Sequence, residues 1–369
     1  MNAPRPQFRT VLIGCGAISR KHIAALNENA GAYEVVGAFD VDADRAAQAA
    51  AAVREGAAGK ACRAFTDMDE MARESGAEVA VIATPSALHA DQAVYWMERG
   101  AHLVLEKPVA LCTQDMDRIA RAKERHDRKI AVGYVARYAP QIRLVAKALA
   151  AGRFGRVFHV GLAIYWNRND DYYRSASWRG TWEHDGGSLM NQATHGIDLL
   201  QWILGGRPTL VTGRIARFMR PVEADDFAAA TITFEGGAIG TMQATVDTYP
   251  QNLGTRLAIL GETGTVELTG IGPDAVTAWR FPPDDEWRET DEAVAAGVIP
   301  SMDGELAGHA GVYQDLAGAI ANGHDPVASY ESARISAEIV LGILKSHRDR
   351  RVVEFPVEFA TSEMAGVTL

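Results

Sequence analysis

Hydrophobic and polar positions follow two different grammars along this chain. In the first third, short apolar runs occur at Thr10–Ile13, Val35–Phe39, Val79–Ala83 and His102–Leu105. Helix-periodic stretches such as Ala43–Arg54 and Asp91–Arg99 lie between them. Strands that alternate with helices in this way predict a parallel, doubly wound α/β sheet. A further helix over Thr113–His126 leads to another apolar run, Ile130–Gly133.

Beyond about residue 130 the pattern changes. Tyr138–Ala150 is helix-periodic, Val157–Tyr165 alternates as a long strand, and Trp166–Asp185 is a polar, aromatic loop. Ser188–Leu204 carries an apolar helical stripe that Gly205-Gly206 ends. Strand-like runs follow at Thr209–Phe218, Phe227–Phe234, Ala238–Val246, Thr255–Leu260 and Thr265–Leu268, joined by turns such as Glu235-Gly236-Gly237. Short connections between strands predict a mainly antiparallel sheet. Helices over 304–322 and 329–348 precede a last strand, Val352–Phe355. The expected organisation is an α/β domain over 1–130 and an α+β domain with a large, open, mainly antiparallel sheet over 131–369. The last helices are candidates to pack back on the first domain.

Composition narrows the partners. A length of 369 residues, 47% of them hydrophobic, supports two substantial cores. The net charge of −10, with no basic run, argues against nucleic acid or an anionic membrane. No apolar stretch approaches a membrane span. The first strand begins within about ten residues of the start, so no signal peptide is expected. Cys15, Cys62 and Cys112 are an odd set without metal-ligand spacing and read as reduced thiols of a cytoplasmic protein.

The most specific chemistry lies at Val11–Ser19. An apolar run ends in Gly14-Cys15-Gly16 and feeds a helix. Gly14 permits the tight turn, and Gly16 lets backbone approach a pyrophosphate. Ala17 and Ile18 then present helix-start N–H groups to the anion. Ser19 holds the third small-residue position. A second apolar run ends in Asp40, about twenty residues on, where a carboxylate binds the adenosine ribose hydroxyls and repels a 2′-phosphate. NAD is thus favoured over NADP. Asp40 reads otherwise as a turn or capping residue.

Three further clusters stand out. Thr84-Pro85 follows a strand and could line the nicotinamide half of a dinucleotide, with His89 as a contact or a packing residue. Glu106-Lys107-Pro108 closes another strand. Lys107 could bind a substrate hydroxyl and help remove its proton, its pKa lowered by partial burial and a neighbouring cation, or it forms a surface Lys–Glu pair. In Asn191–Asp198, residues Asn191, His195 and Asp198 fall at helical spacing on one face. His195 then reads as acid/base, Asn191 as a hydroxyl ligand and Asp198 as its orienter or a structural anchor. A satisfied core histidine is the plain alternative, and His184 with Asp185 matches no metal-ligand motif. No metal is expected. The loop before this helix holds Trp166, Arg168, Tyr172, Arg174 and Arg179, which suits a sugar's C–H faces and hydroxyl edges or a packing contact. Its arginines leave a carboxylated or phosphorylated substrate open.

Taken in order, Gly14–Ser19, Asp40, Thr84-Pro85 with His89, Glu106-Lys107-Pro108, Arg137 with Pro140, Gly186-Gly187 and the Asn191–Asp198 helix resemble the Gfo/Idh/MocA family (glucose–fructose oxidoreductase and inositol dehydrogenase-like enzymes). The resemblance implies an N-terminal Rossmann domain and a C-terminal domain whose open sheet forms homodimer or homotetramer contacts. It implies cofactor contacts from Gly14, Gly16, Ala17, Ile18, Asp40, Thr84, Pro85, His89, Glu106, Lys107 and Arg137. It places Lys107 and His195 as catalytic residues beside the nicotinamide, and implies that the Lys107–Pro108 bond is cis. Substrate contacts would come from Lys107, Trp166, Arg168, Tyr172, Asn191 and His195. Inositol dehydrogenase-like members carry Asp four residues before the helix His; here Asn191 stands, as in members that oxidise nucleotide-sugar uronates at position 3. Asn cannot take a proton, so His195 and Lys107 would share the acid–base work.

The expected activity is NAD-dependent oxidation of a secondary hydroxyl of a sugar, glycoside or cyclitol. An NAD-dependent glycosidase working by transient oxidation, a nucleotide-sugar uronate 3-dehydrogenase and a non-catalytic NAD-binding regulator are the rival readings. Lys107 and His195 weigh against the last, because a sensor needs no proton-transfer pair.

Overall fold

The computed structural model describes residues 7–300 and 304–369. The chain opens with β1 (Phe8–Ile13), α1 (Ser19–Glu28), β2 (Tyr33–Phe39), α2 (Ala43–Glu55), β3 (Arg63–Phe65) and α3 (Met68–Ser75). It continues with β4 (Val79–Ile82), α4 (His89–Glu98), β5 (His102–Leu105), α5 (Thr113–His126) and β6 (Ile130–Val132). These six strands form one sheet in the order β3-β2-β1-β4-β5-β6, every pair parallel. Strands buried on both faces read as continuous apolar runs, and β4 (Val79, Ala80, Val81, Ile82) is wholly buried. Local signals set the helix starts: Asp42 caps α2 through the amides of Asp44 and Arg45, and Asp67 caps α3 through that of Glu70.

Next come α6 (Pro140–Ala150), β7 (Val157–Tyr165), α7 (Asp170–Arg174), α8 (Thr194–Leu204), β8 (Pro208–Ala216), β9 (Phe227–Phe234) and β10 (Ile239–Thr245). They are followed by β11 (Gly254–Gly261), β12 (Thr265–Gly270), β13 (Ala275–Arg280), α9 (Arg288–Ala295), α10 (Gly308–Asn322), α11 (Tyr330–Asp349) and β14 (Val353–Glu354). The second sheet has eight strands in the order β13-β12-β11-β7-β10-β9-β8-β14. Only β7 and β10 pair in parallel; the other neighbours are antiparallel. Val160, Leu162 and Ile164 turn one face of β7 into the core, and α8 packs on that face. Gly196 permits the close approach, since a Cβ there would lie 2.7 Å from Ile164 and 2.8 Å from Leu162.

The chain divides into two compact units. One comprises 1–110, 114–138 and 305–330, and the other 111–113, 139–304 and 331–369. The sequence pattern predicts a single division at 130; the units are discontinuous instead. α10 belongs to the first unit and packs on α1 and against β6. Strands β3 and β13 and helix α9 are not predicted from the sequence; β3 is only three residues long, and α9 carries only three apolar residues in eight. Among the described residues, no helix is long and apolar enough to cross a membrane.

Candidate functional site

The glycine turn after β1 has the shape a dinucleotide needs. Gly14 donates to Phe39 O at 2.9 Å and sits at φ +91°. A Cβ on it would meet Ala83 O at 2.6 Å, so both conformation and space demand glycine here. A Cβ on Gly16 would meet nothing within 4 Å. Gly16 and Ala17 are exposed and Ile18 half-exposed, and no side chain caps the start of α1. Open space before an uncapped helix N-terminus fits a bound pyrophosphate. Asp40, buried at the end of β2, accepts from the amides of Cys15 (2.9 Å) and Asp42 (3.0 Å). It is therefore both the turn-forming residue and the acidic group that the sequence places opposite a ribose. Burial, with Asp40 adding to it, pushes the Cys15 thiol up to about 12, so it stays protonated.

The ends of β4 and β5 form a second cluster in the same unit. Thr84 Oγ1 donates to Gln92 Oε1 at 2.6 Å, and Pro85 leads into a short 3₁₀ turn. His89 is fully buried. Its Nδ1 lies 2.7 Å from Pro108 O and its Nε2 3.0 Å from Thr84 O, and burial pushes its pKa down. Both ring nitrogens face backbone carbonyls, and the neutral ring donates to one of them. His89 ties two strand-end loops together, the packing role the sequence allows beside a cofactor contact. Lys107–Pro108 is cis, as the resemblance implies.

Glu106 is the electrostatic centre. Its Oε1 lies 3.1 Å from His22 Nε2 and 3.8 Å from His309 Nε2, and its Oε2 accepts from the Lys107 amide at 3.2 Å. Burial opposes ionisation, but His22, His309 and the Lys107 charge outweigh it and hold the carboxyl well below its ordinary range. Behind it, Tyr313 Oη lies 2.8 Å from His22 Nδ1, and Tyr33 Oη donates to Tyr313 O at 2.7 Å. His22, Glu106 and His309 bring three ligand-type atoms within 4.8 Å of one another, a cluster the sequence reading, which expects no metal, does not anticipate. Hydrogen bonding accounts for the closest contact: Tyr313 O–H donates to Nδ1, and Nε2–H donates to Glu106. Arg137, another expected cofactor contact, is 1% exposed and donates to Val327 O at 2.7 Å. Its NH1 thus serves the loop before α11.

The second unit holds the aromatic loop and the histidine helix. The sequence predicts one regular helix over Ser188–Leu204, but Leu189–Ala193 is a π-turn and α8 starts at Thr194. The wider turn moves Asn191 off the α-helical register assumed for Asn191, His195 and Asp198. Asn191 instead donates to Asp185, whose other oxygen accepts from Gly180 N at 2.7 Å. Asp198 is fully buried and accepts from Ser336 Oγ at 3.0 Å, the geometry of a structural anchor. His195 is half-buried in the first turn of α8. Gln192 joins the loop to the helix: it donates to Asn191 Oδ1 (2.7 Å) and to Tyr172 Oη (2.9 Å) and accepts from Arg168 Nε (2.9 Å). Arg179 also donates to Tyr172 Oη, and Trp166 Nε1 donates to Thr255 Oγ1 and Ile271 O, both at 3.2 Å. Arg174 is ion-paired to Asp171 at 2.8 Å on the surface, and His184 faces Glu183.

This geometry can be set against known proteins. Residues 8–134 match the oxidoreductase family with NAD-binding Rossmann fold, and 142–267 match the GFO/IDH/MocA C-terminal domain. The chain belongs to the GFO/IDH/MocA family. Among solved members, the WlbA dehydrogenase of Bordetella pertussis, in complex with NADH and UDP-GlcNAcA, is 32% identical, with a TM-score of 0.85 over 97% of this chain and 100% of that one. A curated relative, the scyllo-inositol 2-dehydrogenase (NAD(+)) of Bacillus subtilis, is 23% identical over 81% of this chain and 83% of its own length. The 2,7-anhydro-N-acetylneuraminate hydratase of Mediterraneibacter gnavus is 30% identical, but the match spans 41% of this chain and 40% of that protein. The first GFO/IDH/MocA unit is an NAD-binding Rossmann domain.

Sequence reasoning passes over His22 and Gln192. One of these had a signal: His22 lies on the buried stripe of α1 with Ile23 and Leu26, and a polar residue there requires a partner.

Proposed function

We propose that this protein is an NAD-dependent dehydrogenase that oxidises a secondary hydroxyl of a sugar or cyclitol. The observation that carries the reading is the strand-end pair Glu106–Lys107. In a parallel sheet of this order, ligands bind beyond the carboxyl ends of the strands, where β5 delivers this pair. Lys107 is among the charges that hold the Glu106 carboxyl below its ordinary range. Bound NAD would supply the hydride acceptor. Gly14, Gly16, Ala17, Ile18 and Asp40 would hold it, with Thr84 and Pro85 lining its nicotinamide half. His195 takes the hydroxyl proton, and the Lys107 ammonium stabilises the developing alkoxide. Asn191, turned toward Asp185, orients the substrate and carries no proton.

We also place the protein as a homodimer or homotetramer in a reducing, cytoplasmic setting. Its three cysteines form no disulfide, and the half-exposed outer face of β7 is small at Gly161 and Ala163, between His159 and Tyr165, where a second sheet can approach. Light scattering of the purified protein tests the assembly.

The deciding experiment is NADH formation from NAD with myo-inositol, glucose, glycosides and sugar uronates. Lys107→Ala should lower kcat by about 10²–10⁴-fold while leaving NAD affinity nearly unchanged. A near-normal rate in that variant overturns the assignment, and glycoside cleavage without net NADH favours the glycosidase reading.

A further inference from the structure

Two arginines of the aromatic loop donate only to neutral acceptors. Arg168 donates to Gln192 Oε1 at 2.9 Å and to Asn167 O at 2.8 Å. Arg179 donates to Ser175 Oγ at 3.1 Å and to Tyr172 Oη. Among the described residues, neither guanidinium has a carboxylate within ion-pair distance. Their neighbours differ: Arg174 has Asp171 at 2.8 Å, and Arg220 has Asp247 at 2.8 Å. The one carboxylate woven into the network, Asp185, already accepts from Gly180 N and Asn191.

The hydroxyl between the two arginines points the same way. Tyr172 Oη accepts from both Arg179 and Gln192, so its own hydrogen is left to donate. Arg168 and Arg179 flank the Tyr172 ring at 5.6 Å and 4.2 Å, which fixes both planar forks without neutralising them. Burial and the like charge of Arg179 both push the Arg168 pKa down, against Tyr172 and Tyr173. Two half-buried guanidinium groups and a hydroxyl donor that lack a counter-charge are an incomplete polar site, and the missing component is an anion.

We propose that Arg168, Arg179 and Tyr172 form an anion receptor, and that the substrate oxidised by this protein is an acidic sugar rather than a neutral sugar or cyclitol. This rests on the dehydrogenase reading and narrows its substrate class. Planar forks suit a carboxylate bidentately, and a phosphate presents the same oxygen chemistry.

The test is calorimetric binding to the NADH-loaded protein, with turnover measured in parallel. Glucose, glucuronate and glucose 6-phosphate separate neutral, carboxylate and phosphate ligands. UDP-GlcNAcA against UDP-N-acetylglucosamine isolates the carboxylate, because both carry the diphosphate. The acidic member of a pair should bind about 10–100-fold tighter. Arg168→Gln and Arg179→Gln should each abolish most of that preference. Arg168→Lys keeps charge but not the fork and should recover part of it, which separates lost recognition from lost folding. Arg174→Gln should change nothing. Equal affinity for acidic and neutral partners, no binding of any acid, or an unchanged ratio in both Gln variants overturns the proposal. NADH formed from neutral polyols without acid preference sinks the receptor and leaves the dehydrogenase standing. Acid-selective binding without NADH does the reverse.

Discussion

Replacing His22 by leucine probes the buried charge on which the first unit is built. Glu106 and His22 are 9% and 1% exposed at their side chains, and the bond between them is 3.1 Å long. Leucine fills much of the imidazole volume, so the cavity left behind costs little, about 1 kcal/mol. Electrostatics costs more, because taking a hydrogen-bond partner from a buried charge destabilises by about 3–5 kcal/mol. Lys107 N and His309 still face the carboxylate, which puts the expected cost near the lower end, about 3 kcal/mol. Glu106→Leu made together with His22→Leu removes the charge with its partner. The double variant should therefore cost about 2 kcal/mol less than the two single costs added. Loss of the Tyr313 bond occurs in both variants that lack His22 and cancels from the cycle. Denaturant unfolding without NAD reads the totals, and hydrogen exchange over Ser19–Glu28 localises them to α1. The pH dependence has a definite sign. A depressed carboxyl pKa stabilises the fold above the unfolded value of about 4.3, and that stability is lost as pH falls through the folded value. The gap between wild type and His22→Leu should accordingly narrow in acid. A single-variant cost below about 1 kcal/mol, or strict additivity in the cycle, would show that Glu106 is not held as a buried anion.

Two further outcomes follow from the glycine turn and from the second unit. Gly14→Ala forces an L residue to φ +91° with its Cβ 2.6 Å from a backbone carbonyl, and should cost about 2–5 kcal/mol; Gly16→Ala should barely change stability while weakening NAD binding. Thermal unfolding with and without NAD separates the two, and equal stability losses would refute the difference in role. Burial pushes the Asp225 carboxyl up to about 7 against the bonds from Ser188 and Leu189. Its folded pKa lies above the unfolded one, so this group's contribution should fall as pH rises from about 4 to 7, by at most about 4 kcal/mol. Asp225→Asn should flatten that slope in denaturant unfolding across pH, and an unchanged slope would reject the assignment.

Much of the fold is legible in the sequence because its elements bury whole faces. β4 reads as an uninterrupted apolar run since all four of its residues are buried, and β7 reads as alternation since only every second residue is. The predicted ends of α5 and β7 coincide with the observed ones, Thr113–His126 and Val157–Tyr165. β3, three residues with only Phe65 buried, offers no periodicity to detect. The discontinuous first unit is legible only in part: the last helices are candidates to pack back, but α10 does so and α11 does not. Helical periodicity shows that α10 has an apolar face, but it does not say which core that face enters; here Tyr313 and Leu316 are buried in the first.

The site divides along the same physical line. Gly14 is readable because the turn it serves is a local motif, whereas the cis Lys107–Pro108 bond is expected only from the family resemblance. Residues that act through charge are not readable from local pattern. His22 meets Glu106 across 84 positions and Tyr313 across 291, distances over which periodicity and spacing carry no information. Even within one helix the local rule fails, because the π-turn at Leu189–Ala193 rotates Asn191 toward Asp185. Such a turn gives up regular hydrogen bonding and persists only where tertiary contacts hold it. Here Asp225 does so, accepting from Ser188 Oγ and Leu189 N at its first residues. The ionised state of Glu106 and the unneutralised arginines of the loop are thus properties of the assembled units. That makes them the features mutation can test independently of the motif.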